Sequence, residues 1–168
     1  MTLPLTPSQT VGPYFAIGLS RRPEDELVPF GSEGSVVLSG AVLDGDDVPV
    51  PDAMVEIWQA DASGSYAAGF GWGRSGTDAD GRYSFVTVKP GQVEGQAPHL
   101  VMLVFMRGIL KAALTRVYFP DEAANASDPV LTGLPEEQRA RLVATADGDA
   151  VRFDIRMQGE KQTPFFTL

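Results

Sequence analysis

Short β-branched and aromatic runs recur along the chain, each closed by glycine, proline or an Asp-Gly pair. This punctuation predicts short strands joined by tight turns rather than a helical bundle. The runs place strands at Ser35 to Asp44, Ala53 to Ala60, Arg82 to Val88, His99 to Met106, Leu114 to Phe119 and Ala150 to Gln158. Asp44-Gly45, Asp80-Gly81 and Asp147-Gly148 supply turn residues that tolerate a positive φ. Trp58, Tyr83, Phe85, Phe105 and Phe119 fall on these strands as core or interface side chains would. Glu56, between Val55 and Ile57, faces away from both, toward solvent or an inter-sheet hydrogen bond. Phe165 and Phe166 are too apolar for a free tail and are expected to dock on a partner.

One helix is predicted, Pro135 to Val143, with Pro135 in its first turn, Glu136 and Glu137 at its positive end and Arg139 and Arg141 near the other. Residues 1–34 are rich in proline and glycine and lack periodicity. They form either a disordered leader or an arm lying across another surface, and Tyr14 with Phe15 favours the arm. The resulting fold class is all-β: a mostly antiparallel β-sandwich over residues 35–168, with a short peripheral helix and an extended N-terminal arm.

At 168 residues the chain suits one domain with a real core. Its net charge of −9 argues against nucleic acid, which needs clustered Lys and Arg. The acidic residues gather in DG, DD and DE groups, as on a solvated surface. Met1 to Leu19 has no basic region and no long apolar run, and nothing approaches a membrane span, so the expected setting is the cytoplasm. The chain has no cysteine and a single histidine, His99. Sites for iron, copper or zinc usually draw on two or three imidazoles or thiolates, so a self-sufficient transition-metal centre is not expected.

Three segments carry a resemblance: Thr6 to Tyr14 (TPSQTVGPY), Val55 to Tyr66 (VEIWQADASGSY) and Thr77 to Gly91 (TDADGRYSFVTVKPG). Together with Ala97-Pro-His-Leu100, Arg107-Gly108, Thr115 to Phe119 and Arg152 to Gly159, they make the chain similar to the intradiol ring-cleavage dioxygenases over nearly its whole length. The resemblance implies a sandwich that pairs, as an iron-free α chain, with an iron-bearing β chain, the pairs building a larger hetero-oligomer. Residues 1–34 would then pack on that partner. The implied reaction cleaves protocatechuate with dioxygen to 3-carboxy-cis,cis-muconate in aromatic degradation. The other reading is a non-catalytic β-sandwich binding or scaffold module whose metal site has decayed.

By the same resemblance, the four ferric-ion ligand positions of the family, two tyrosines and two histidines, fall here on Tyr66, Val93, His99 and Val101. Two of them carry no donor. Strand geometry agrees, because residues i and i+2 share a face, so a chelating companion of His99 belongs at position 101, where valine stands. Tyr66 and His99 are expected to be remnants, such as a buried hydrogen-bonded pair, and Fe(III) is expected in the partner chain. The resemblance also places Thr10, Gly12, Pro13, Tyr14 and Arg107 at the edge of the partner's substrate pocket. Arg107 has a physical case of its own, since a guanidinium matches the substrate carboxylate with two parallel hydrogen bonds. It stands about 26 Å along an extended strand from His99, too far to serve the remnant site.

Overall fold

A computed structural model describes residues 3–20, 24–66 and 68–167, so residues 1, 2 and 21–23 of the predicted arm lie outside the described residues, as do 67 and 168. Among the described residues nine strands are present: β1 Ser35–Leu43, β2 Met54–Trp58, β3 Trp72–Gly76, β4 Arg82–Val88, β5 His99–Phe105, β6 Ala113–Tyr118, β7 Thr145–Asp147, β8 Ala150–Arg152 and β9 Ile155–Arg156. They form two layers. One sheet runs β4-β1-β8-β7, with β9 continuing along β1, and the other runs β3-β2-β5-β6. Pairing is antiparallel except where β8 and β9 lie parallel to β1. The alternation read in Arg82 to Val88 is the real one: Tyr83, Phe85 and Thr87 point inward, between the sheets, and Arg82 and Ser84 outward. Leu38, Val42, Tyr83 and Phe85 of the first sheet meet Val55, Ile57, Leu100, Met102, Val104 and Val117 of the second to make the core.

Four expectations are corrected. The predicted strand from Ala150 to Gln158 is broken at Phe153 and Asp154, because the Asp154 carboxylate takes the Ala41 N–H at 3.0 Å in place of a backbone carbonyl. β3 had no sequence signal, since two of its five residues are glycines. Gly73 is required there: a Cβ at that position would stand 2.5 Å from Leu27 Cδ1 and 3.0 Å from the Glu24 carbonyl oxygen, where the N-terminal segment crosses the strand. The predicted helix shrinks to α3, Glu136–Ala140, because Leu142 to Ala144 turn away to bond the backbone of Tyr118. The chain also forms α1, Phe15–Leu19, α2, Pro129–Thr132, and a 3₁₀ turn at Ala123–Ala126. Finally, the C-terminal tail docks on this chain itself. Phe166 N–H donates to the Leu114 carbonyl at 2.8 Å, Thr115 Oγ1 donates to the Pro164 carbonyl, and Phe165 packs on the core.

The N-terminal segment also returns to the sandwich. Glu24 exchanges both backbone bonds with Arg74 of β3, while Asp25 and Leu27 bond Val86 of β4. Among the described residues, no helix is long and apolar enough to cross a membrane.

Candidate functional site

The outer face of the β3-β2-β5-β6 sheet carries His99 and Val101, with Glu56 and Trp58 beside them. Directly opposed residues share a face, and the register gives one rung across all four strands: Trp72, Trp58, Val101, Arg116. Beside it at one end, His99 pairs with Tyr118. On the other side come Arg74, Glu56, Leu103 and Leu114. Glu56 thus bonds within its own sheet, accepting from Arg74 Nε at 2.8 Å and Nη2 at 2.6 Å, rather than facing solvent or reaching the other sheet. Arg74 also lies 4.8 Å from the centre of the Trp72 ring.

The remnant positions lie around this rung. Tyr66 is 46 % exposed and stacks on Trp58, with centroids 6.3 Å apart and ring planes 8° from parallel. His99 is buried, its ring 5.5 Å from that of Tyr118, and its Nδ1 lies 2.8 Å from the Ala97 carbonyl. A carbonyl only accepts, so Nδ1 carries the proton and Nε2 keeps its lone pair. Burial pushes the His99 pKa down, so the ring is held neutral. The expected hydrogen-bonded Tyr66 and His99 pair is replaced by two separate ring contacts, because each ring already has an aromatic neighbour. Val93 closes a small turn with Gln96, and Val101 lies between Trp58 and Arg116.

Behind His99 runs a polar chain that the sequence reading missed. Arg116 Nη1 donates to Gln96 Oε1 at 2.6 Å and to the Tyr118 hydroxyl at 3.3 Å; that hydroxyl donates to Asp128 Oδ1 at 3.2 Å. Asp128 is fully buried and also accepts from the backbone N–H groups of Ala97, Val130 and Leu131, capping α2. Its signal in the sequence was the Asp128-Pro129 pair, a helix-start signature. Burial raises the Tyr118 phenol to about 12, so it stays protonated. This donor set does not fit a ferric ion. Two of the four expected ligand positions are aliphatic, and the guanidinium of Arg116 puts a fixed positive charge on the same face. Among the described residues, no three His, Cys, Asp or Glu side chains lie together as a metal cluster.

Of the second group of predicted residues, Thr10 and Arg107 come together at the far end of β5. Thr10 Oγ1 accepts the Gly108 N–H at 3.2 Å, which ties the arm to the turn carrying Arg107. Gln9 and Val11 line a recess of about 140 Å³ with Phe105, Met106, Ile109 and Leu110. Gly12 and Pro13 are exposed and lead into α1, and Tyr14 is 77 % exposed. Arg107 Nε donates to Asp52 Oδ2, an ion pair the sequence reading had not drawn. The structure therefore brings Thr10 and Arg107 together and leaves Tyr66, Val93, His99 and Val101 at the other end of the sheet.

Two packed sheets and the four ligand positions implied by the resemblance, two of them without a donor, fit a β-sandwich of the ring-cleaving dioxygenase type, with no three-ligand metal cluster among the described residues. The comparisons with known proteins agree. A family model described as Dioxygenase matches residues 12–159. The chain is 47 % identical to the protocatechuate 3,4-dioxygenase alpha chain of Burkholderia cepacia, over 99 % of each chain. It is 35 % identical to the beta chain of that organism's enzyme, over 77 % of this chain and 66 % of the relative. Among solved structures it is similar to the dioxygenase domain of a dioxygenase carbohydrate-binding protein fusion from Streptomyces sp. SirexAA-E, at 27 % identity and a TM-score of 0.68, covering 92 % of this chain and 98 % of that one. The chain belongs to the intradiol ring-cleavage dioxygenases.

Proposed function

We propose that this chain is the iron-free α-type subunit of an enzyme that cleaves protocatechuate with dioxygen to 3-carboxy-cis,cis-muconate, inserting both oxygen atoms. In this reading a β-type partner holds the Fe(III) that supplies the oxygen chemistry. The observation that carries it is the coincidence of two facts: similarity to an alpha chain over the full length of both chains, and a ligand set emptied at Val93 and Val101. Similarity to a beta chain as well supports two chains of common ancestry that pair; αβ pairs then assemble further, in the cytoplasm. This chain's part is recognition and orientation. Residues 1–34 form an arm that reaches the partner, while its stretch Glu24 to Leu27 bonds this chain's own β3 and β4; Thr10, Gly12, Pro13 and Tyr14 wall the partner's substrate pocket, where a Gly-Pro backbone allows close approach. Arg107 takes the substrate carboxylate in a bidentate grip. Remote contacts of this kind contribute to the barrier by fixing the reacting ring.

The chain is purified alone and co-expressed with a β-type chain carrying the complete Tyr, Tyr, His, His set. Association, with ring cleavage only by the pair, is the expected result. His99→Gln leaves iron per αβ pair unchanged, and Arg107→Ala raises KM for protocatechuate while sparing catechol, which has no carboxylate. Failure of the two chains to associate, or a stoichiometric coloured iron site in the isolated chain, overturns the proposal.

A further inference from the structure

We infer that Asp52 is the positioning residue that aims Arg107 at the substrate carboxylate. The inference rests on the role proposed for Arg107 and adds a residue that no motif points to. The register supplies the first observation. Met54 of β2 faces Phe105 of β5 in the antiparallel ladder. Asp52 stands two residues before Met54 and Arg107 two residues after Phe105, in the turns just beyond that end of the ladder, where the two side chains meet.

The hydrogen bonds supply the second. Arg107 Nε donates to Asp52 Oδ2, and among the described residues no other hydrogen bond engages the guanidinium. A carboxylate on Nε fixes the plane of the group and leaves the paired Nη1 and Nη2 edge, the fork that matches a second carboxylate, directed away from Asp52. Asp52 is itself held rigidly. Thr77 Oγ1 donates to the Val50 carbonyl at 2.7 Å and accepts the Ala53 N–H at 3.0 Å, so the loop on both sides of Asp52 is pinned to the start of the β3–β4 connection. On the other side, the Thr10 hydroxyl takes the N–H of Gly108, whose φ of +92° is the left-handed conformation glycine allows. The arginine thus extends from a turn anchored at one end by the arm and at its tip by Asp52. A free arginine would have to lose several rotamers on binding substrate; one already oriented does not.

The test uses the assembled αβ enzyme with Asp52→Asn and Asp52→Glu, each first shown to co-purify with the partner, alongside Arg107→Ala. Asp52→Asn keeps the size of the side chain and removes its charge, and is expected to raise KM for protocatechuate about tenfold. Its kcat stays unchanged, and so does kcat/KM for catechol. Asp52→Glu, which restores the carboxylate, recovers most of the loss. If Arg107→Ala raises KM and Asp52→Asn does not, Asp52 has no positioning role while the function proposed for Arg107 stands. If Arg107→Ala has no effect, the underlying reading fails and this inference with it. Equal losses for protocatechuate and catechol mean a structural role only, and a KM that falls in Asp52→Asn means that the carboxylate competes with substrate; either result overturns the inference.

Discussion

Replacing Asp128 by alanine is the sharpest test of how the region behind His99 is held. The fully buried carboxylate satisfies four donors: the N–H groups of Ala97, Val130 and Leu131 and the hydroxyl of Tyr118. Loss of the helix cap alone costs about 1 kcal/mol. The Ala97 N–H and the Tyr118 O–H lie outside the helix, and each, left without an acceptor, costs about 1–3 kcal/mol. With partial rescue by water, the sum is about 3–4 kcal/mol, a large share of the roughly 5–15 kcal/mol that holds a typical domain together. Asp128→Asn keeps one acceptor oxygen but turns its NH₂ toward N–H donors, so it falls between alanine and wild type. Urea unfolding followed by tryptophan fluorescence measures both. A loss for Asp128→Ala below about 1 kcal/mol at unchanged m-value would refute the reasoning, since it would mean the four donors find other partners at little cost.

Two further predictions concern stability. Burial holds the His99 pKa below its ordinary value of 6.5, so folding favours the neutral ring. That contribution is complete above pH 6.5 and is lost as acid protonates the unfolded chain first. Melting temperatures of wild type and His99→Gln are therefore expected to converge as pH falls from about 7 to 5; parallel curves would contradict this. Gly73→Ala puts a Cβ within 3.0 Å of the Glu24 carbonyl oxygen and against Leu27, and is expected to cost about 1–3 kcal/mol, whereas an unchanged melting temperature would show that the crossing segment is free to move.

Local alternation made part of the molecule legible in its sequence. β4 could be read because one of its faces is buried and the other is not, and the empty ligand position at Val101 came from the same period of two. β3 was hidden because its glycines answer to residues distant in sequence, Gly73 to Glu24 and Leu27 and Gly76 to Ser20. The break before β9 depends on a single side chain, Asp154, bonding the Ala41 N–H. At the site, Thr10 and Arg107 were found separately through family motifs, but their meeting through Gly108 is a tertiary fact. The chain from Gln96 through Arg116 and Tyr118 to Asp128 joins the turn before β5, the strand β6 and the cap of α2, and no spacing within one element could reveal it. Asp52 and Arg107 meet in the turns beyond the Met54–Phe105 end of the β2–β5 ladder, a contact that strand alternation within either segment does not fix.

The two terminal segments have a consequence for how such a chain avoids polymerising. Glu24 to Leu27 bonds the backbones of both β3 and β4, and Phe166 bonds that of β6. Three of the four outermost strands of the sandwich therefore already have backbone groups occupied by their own polypeptide. A strand from another molecule meets blunted rims there, the first step toward fibril growth is obstructed, and companionship with other chains is steered onto the broad sides of the sandwich.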